Sequence, residues 1–199
     1  MNKDILICGV GGQGTVLASK IIAAAASAKG LSIHSAETIG MAQRGGSVTS
    51  HVRIGDAARS PLIPFGNADL LLAFEPAEAV RNLRYLKKDG IAIVNTAPTR
   101  PVTESLADTG YDGSEMVEYI KRKCSCIFVD SERVCEPFGS AKFFNIIILG
   151  IASGSSKLGI PKDILLDQIE RRVPKAYVEI NKEAFGAGYD IGQKYVTEK

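Results

Sequence analysis

"LICGVGGQGTVLASKII" (Leu6–Ile22) sets an apolar run, Ile5–Val10, almost directly against an alanine- and isoleucine-rich stretch, with Gly9, Gly11, Gly12 and Gly14 crowded between them. Each glycine in regular structure costs about 0.5–1 kcal/mol relative to alanine, so four of them are retained only where the turn needs them. The apolar run lacks period-2 alternation, the form expected of a strand covered on both faces. Thr15–Lys29 has the composition of a helix, Gly30 suits its C-cap, and Leu31–Ala36 follows as a second strand. Strand, glycine turn, helix and strand read as a βαβ unit, which predicts a parallel sheet with a right-handed crossover.

Further strands are expected at Ser47–Ile54, Asp69–Phe74, Ile91–Asn95 and Cys126–Val129. In Ser47–Ile54, Val48, Val52 and Ile54 alternate with Thr49, His51 and Arg53, which predicts one covered and one polar face. "EPAEAVRNL" begins a proline-led helix, and "SEMVEYIKRK" is a second, with Lys121, Arg122 and Lys123 complementing the dipole at its end. From Ala141 onward the pattern is helical: "AKFFNIIILGIAS", "PKDILLDQIERRV" and "KAYVEINKEAFGAGYDIGQ". In the second of these, Leu165, Leu166, Ile169 and Val173 form an apolar stripe. The expectation is a single α/β domain, doubly wound and Rossmann-like with a mainly parallel sheet over residues 1–140, and an α-helical C-terminal segment, 141–199, packed on it.

A chain of 199 residues with 45% hydrophobic and 23% charged residues is long enough to bury one substantial core. Twenty-four basic against 22 acidic side chains leave a net charge of +2, too even a balance for a nucleic-acid surface. The four cysteines, Cys8, Cys124, Cys126 and Cys135, match no zinc or iron–sulfur spacing. Cys8 reads as an inert core thiol. The start "MNKDILICGV" enters a strand without the features of a signal peptide, which predicts a cytoplasmic protein. The apolar segment Ala141–Ala152 is interrupted by Lys142, Asn145 and Gly150 and is shorter than the roughly 18 residues of a membrane span. It reads as a buried or interface helix, and with the glycine loops it is a surface expected to be covered by another chain.

Gly9, Gly11 and Gly14 fit G-x-G-x-x-G between a strand and a helix, the context of a phosphate seat at a helix N-terminus. Glu37 stands near the end of the second strand, where a dinucleotide enzyme hydrogen-bonds a ribose. Three uses are open: a stand-alone NAD-binding dehydrogenase, a nucleotide-binding scaffold, or a main-chain surface for another protein. The first is weakened by the length, which leaves little chain for a catalytic domain, and by the presence of only His34 and His51 as histidines. A second unusual stretch, "GMAQRGGSVTSHVRIG" (Gly40–Gly55), sets Gln43 and Arg44 before Gly45, Gly46 and Ser47. A guanidinium and an amide beside such backbone suit a carboxylate, a phosphate or a facing main chain.

"GVGGQG", "ETIGMAQRGGSVTSHVRIG", "ADLLLAFEPAEAVR", "NIIILG" and "EINKEAFGAG", in that order, resemble the gamma-type subunit of 2-oxoacid:ferredoxin oxidoreductases over nearly the whole chain. The M-A-Q-R-G-G-S-V form is most similar to the indolepyruvate branch of that family, where the corresponding chain is the beta subunit. The resemblance implies a share of an enzyme that oxidatively decarboxylates a 2-oxoacid on thiamine diphosphate, passes electrons through iron–sulfur clusters to ferredoxin, and forms an acyl-coenzyme A. It places thiamine diphosphate and clusters in a larger partner subunit and leaves this chain without a tightly bound cofactor and inactive alone; whether the isolated chain forms a homodimer is left open. Gly9, Gly11, Gly12, Gln13 and Gly14 match the family's first loop, and Gln43, Arg44, Gly45, Gly46 and Ser47 its second. Both loops are expected at the carboxyl ends of the strands, facing the partner's thiamine region or a coenzyme A phosphate. No residue of this chain is assigned a catalytic or metal-ligating role.

Overall fold

The apolar run beginning at Ile5 becomes an interior strand of a six-stranded sheet, in a computed structural model that describes residues 1–39, 45–99 and 110–197. The strands are β1 (Lys3–Val10), β2 (Ile33–Ile39), β3 (Ser47–Ile54), β4 (Ala68–Ala73), β5 (Leu86–Asn95) and β6 (Ser125–Val129), in the spatial order β2-β3-β1-β4-β5-β6. β1, β4, β5 and β6 pair in parallel, while β3 lies antiparallel to both β1 and β2. The helices are α1 (Thr15–Ala28), α2 (Pro76–Asn82), α3 (Ser114–Lys123), α4 (Ser131–Cys135), α5 (Phe144–Gly154), α6 (Lys162–Arg172) and α7 (Val178–Thr197).

The mainly parallel sheet agrees with the expectation, but the opening βαβ unit needs correcting. β1 and β2 run the same way, yet β3 is inserted between them, and β2 starts at Ile33 and continues to Ile39 instead of ending near Ala36. Nothing in the local pattern distinguishes these arrangements: a helix can return the chain to the next strand position or to the one beyond it, and β3, reached from Ile39 at the same sheet edge, fills the gap. The polar face expected on β3 is also covered. His51 is buried, its Nδ1 accepts the Ile63 N–H at 3.1 Å, and its ring meets Tyr85 edge-on. Burial, with the Arg53 charge beside it, lowers the imidazole pKa and favours the neutral ring that this bond requires.

One face of the sheet packs Ile5, Ile7, Leu70, Leu72 and Ile93 against α1, α5, α6 and α7. The other packs Leu6, Leu71, Ala92 and Val94 against α2 and α3. Successive residues of β4 thus enter opposite cores, which is why its "LLL" shows no alternation.

α5 is buried from Phe144 to Ala152 and again at Gly154, and its cover comes from this chain. Gly150 and Gly154 of α5 face Gly188 and Gly192 of α7 so closely that an added Cβ would stand 2.1–2.3 Å from a carbonyl oxygen of the facing helix. This corrects the expectation that Ala141–Ala152 awaits a partner: the glycine spacing in both helices lets α7 occupy that surface.

Candidate functional site

The chain direction decides what meets at the site. β1, β4 and β5 deliver their carboxyl ends, Val10, Ala73 and Asn95, to one edge, and antiparallel β3 begins at that same edge with Ser47 opposite Val10. The two glycine loops are therefore brought together. Gly11 N–H donates to Gly46 O at 2.8 Å, and Gly45 N–H reaches Gly11 O at 3.4 Å. Gln43 and Arg44 lie outside the described residues.

Gln13, a polar residue in a turn, braces the loop. Its Oε1 accepts Val10 N–H at 2.7 Å, and its Nε2 donates to Phe74 O at 3.1 Å and to Thr99 Oγ1 at 2.9 Å. Gly9 leaves the room for it, since a Cβ there would meet Gln13 Oε1 at 2.6 Å and Phe74 Cβ at 2.8 Å. Gly14 ends the loop with φ +84°, a left-handed conformation in which a Cβ would fall 2.6 Å from Asn145 Nδ2. It caps α1 without any side-chain hydrogen bond, so the first-turn amides of α1 are left for solvent or a ligand.

Beside this loop is a cavity of about 480 Å³ whose lining includes Gly12, Gln13, Gly14, Thr99, Lys142 and Asn145. The α1 N-terminus and the Lys142 ammonium favour an anion there; exposed Glu132 on the rim opposes it. Beneath the cavity, Asn95 is buried and fully engaged. Its Nδ2 donates to Phe74 O at 3.0 Å and Ala97 O at 3.1 Å, while its Oδ1 accepts from Ala97 N–H at 3.1 Å and Ser131 N–H at 3.0 Å. The Phe74 carbonyl thus accepts both Gln13 and Asn95, joining β1, β4 and β5 under the site. Sequence reasoning missed Asn95; its only sign is a polar amide closing an otherwise apolar strand before "TAP".

Ser47 turns away from the cavity: its Oγ donates to Glu78 Oε2 at 2.6 Å. Glu37 has the place but not the geometry of a ribose ligand. Its Oε1 accepts from Ser19 Oγ at 3.0 Å, and with β3 intervening β2 lies about 10 Å from β1 at ~4.8 Å per strand, against a single spacing where adjacent strands carry the dinucleotide.

The thiols do not suit a cluster. Cys8, Cys124 and Cys126 pack toward one face of the sheet and Cys135 toward the other. Burial, with Glu78 and Glu75 nearby, pushes the Cys8 thiol well up, and burial raises Cys124 and Cys135 to about 11, which makes these poorly reactive thiols. Among the described residues no group of three or more His, Cys, Asp or Glu side chains is gathered for a metal ion. No single described helix is long and apolar enough to cross a membrane.

Comparison with known proteins gives the same picture from a separate direction. The family described as "Pyruvate ferredoxin/flavodoxin oxidoreductase" matches residues 4–191. The chain is 38% identical to indolepyruvate oxidoreductase subunit IorB of Archaeoglobus fulgidus, over 96% of this chain and 95% of that one. It is 32% identical to the subunit of the same name from Pyrococcus horikoshii, over 98% and 96%. Its fold is similar to the crystal structure of the keto/oxoacid ferredoxin oxidoreductase gamma subunit from Geobacter sulfurreducens, with a TM-score of 0.71 and 25% identity over 96% of this chain and 99% of that one. The match over residues 4–191 and the agreement with these relatives over nearly the whole length place the chain in the pyruvate ferredoxin/flavodoxin oxidoreductase family.

Proposed function

We propose that this chain is the subunit without redox centres of a thiamine-diphosphate-dependent 2-oxoacid:ferredoxin oxidoreductase acting on indolepyruvate or a related aryl pyruvate, and that it works in the cytoplasm. Its glycine loops and the cavity beside them form a seat for a phosphate of coenzyme A, next to the partner's thiamine region. The larger partner supplies thiamine diphosphate and the iron–sulfur clusters, and electrons leave through it to ferredoxin. Thiamine diphosphate, when bound in that partner, supplies the carbanion chemistry of decarboxylation; this chain binds and orients.

The observation that carries this reading is the N-terminus of α1, opened by Gly14 without a side-chain cap onto a cavity that Lys142 also lines. Amides there bind an anion without a catalytic side chain. The match to indolepyruvate oxidoreductase subunits supports the substrate class, and the M-A-Q-R-G-G-S-V form of the second loop supports the same branch.

In the complex reconstituted with its large chain, Lys142→Glu should raise the KM for coenzyme A about tenfold, the loss of roughly 1.4 kcal/mol expected when a favourable charge is reversed at a partly exposed anion site. The KM for indolepyruvate should stay within twofold. An unchanged coenzyme A KM under steady-state anaerobic assay would remove the cavity from coenzyme A binding.

A further inference from the structure

The first turn of α2 holds two carboxylates, Glu75 and Glu78, each about 2% exposed. Carboxylates so far from water are retained where neighbouring donors fix them. Glu75 Oε2 accepts the Glu78 N–H at 2.9 Å, capping α2, and Glu75 Oε1 accepts Tyr111 Oη at 2.5 Å. Glu78 Oε1 is bonded by Arg81, which stands two-thirds exposed, and Glu78 Oε2 takes the Ser47 hydroxyl at 2.6 Å. A buried carboxylate thus reaches across from α2 to the first residue of β3.

The position of that contact matters because the β1–β3 ladder ends there, at Val10 opposite Ser47. Val10 N–H, on the β4 side of its strand, is bonded to Gln13 Oε1, and the rung beyond the Val10–Ser47 pair is Gly11 N–H to Gly46 O. There, among the described residues, Gly46 O and Gly45 N–H join Gly11. Glycines fray readily, having no side chains to pack. The Ser47 hydroxyl, held at 2.6 Å by a buried carboxylate, is a side-chain anchor at this end of the ladder.

We infer that Glu78 is a positioning residue: through the Ser47 hydroxyl it holds Gly45 and Gly46 against Gly11, and so fixes the main-chain face that these glycines present at the site. The part that concerns coenzyme A rests on the function proposed above; the part that concerns the loop does not. Glu75, held by Tyr111, fixes the turn from which Glu78 projects.

Two measurements keep these parts separate. In the isolated chain, Ser47→Ala should speed hydrogen exchange of the Gly11 amide at least about tenfold by NMR while Ile7 and Leu71 keep their protection, since only the ladder end is released. Ser47→Thr, which retains the hydroxyl, should restore the protection. Glu78→Leu should produce the same increase at Gly11, and Ser47→Ala added to Glu78→Leu should produce no more. An unaltered Gly11 rate in Ser47→Ala, or a uniform loss of protection throughout the sheet, overturns the inference. In the reconstituted complex, Ser47→Ala should raise the coenzyme A KM about fivefold with kcat within twofold, and Ser47→Thr should reverse it. Faster exchange at Gly11 with an unchanged coenzyme A KM upholds the positioning role of Glu78 and counts against the coenzyme A seat.

Discussion

Gly188→Ala should unfold this protein at a markedly lower temperature, while Gly186→Ala, two residues earlier in the same helix, should raise its melting temperature. Both glycines lie inside α7, where alanine is intrinsically favoured by about 1 kcal/mol. They differ in what a methyl group meets. At Gly186 nothing lies within 4 Å, so the intrinsic gain is realised. At Gly188 the new carbon would stand 2.1 Å from the Ile147 carbonyl oxygen of α5, with the Ile147 carbonyl carbon at 2.9 Å. Neither obstacle is a flexible side chain, and relief requires the two helices to separate. Overpacking of this kind costs about 1–3 kcal/mol and at times more. At roughly 2–4 °C per kcal/mol for a chain of this size, the melting temperature should fall by about 5–10 °C for Gly188→Ala and rise by ~2–4 °C for Gly186→Ala. Circular dichroism melts of both variants check the pair; equal shifts would show that α5 and α7 are not in backbone contact. The effect reaches the site because Asn145, near the start of α5, is the neighbour that a side chain at Gly14 would strike.

The second large effect is expected at Asn95. Replacing it by alanine removes two donors and one doubly used acceptor from beneath the cavity, stranding the Phe74 and Ala97 carbonyls and the Ala97 and Ser131 amides to different degrees. Leaving one buried polar group unsatisfied costs about 1–3 kcal/mol, so a loss of about 2–4 kcal/mol is expected for the variant, allowing Gln13 to continue serving Phe74 O. Asn95→Asp is the more informative change. It preserves shape but points a carboxylate oxygen at two carbonyl oxygens, and burial favours its protonated form. With the folded-state pKa raised above the unfolded one, the folded state binds more protons as pH climbs through the carboxylate range, so stability declines with rising pH. Urea unfolding at pH 5 and pH 8 should therefore find Asn95→Asp closer to the parent at pH 5. No pH-dependent gap, or a smaller loss than Asn95→Ala at pH 8, would contradict the hydrogen-bond assignment.

Much of the fold could be read from residue patterns because burial on both faces leaves continuous apolar runs, as in Leu70–Leu72, and because Gly14 marks the joint between β1 and α1. The placement of β3 could not. Its alternation suggested a solvated face, but the loop carrying Ile63 folds over His51, and such cover comes from residues distant in the chain. Ala141–Ala152 was legible as apolar but not as self-covered: the matching glycines lie nearly forty residues apart, and only their juxtaposition explains them. At the site, glycine spacing marks the turn between β1 and α1, whereas Ser47 points to Glu78 and Gln13 into a brace. Side-chain direction at a turn depends on contacts such as Phe74 O and Thr99 that no local motif records.

The central claim is that this chain offers a shaped main-chain surface to chemistry that a neighbour performs. Its most direct test is an anaerobic assay of indolepyruvate-dependent, coenzyme A-dependent ferredoxin reduction by the purified chain, by its large partner, and by the two combined. On this claim, full turnover is expected only from the combination, and none from this chain alone. Turnover by this chain alone, or undiminished coenzyme A-dependent turnover by the partner alone, would contradict it.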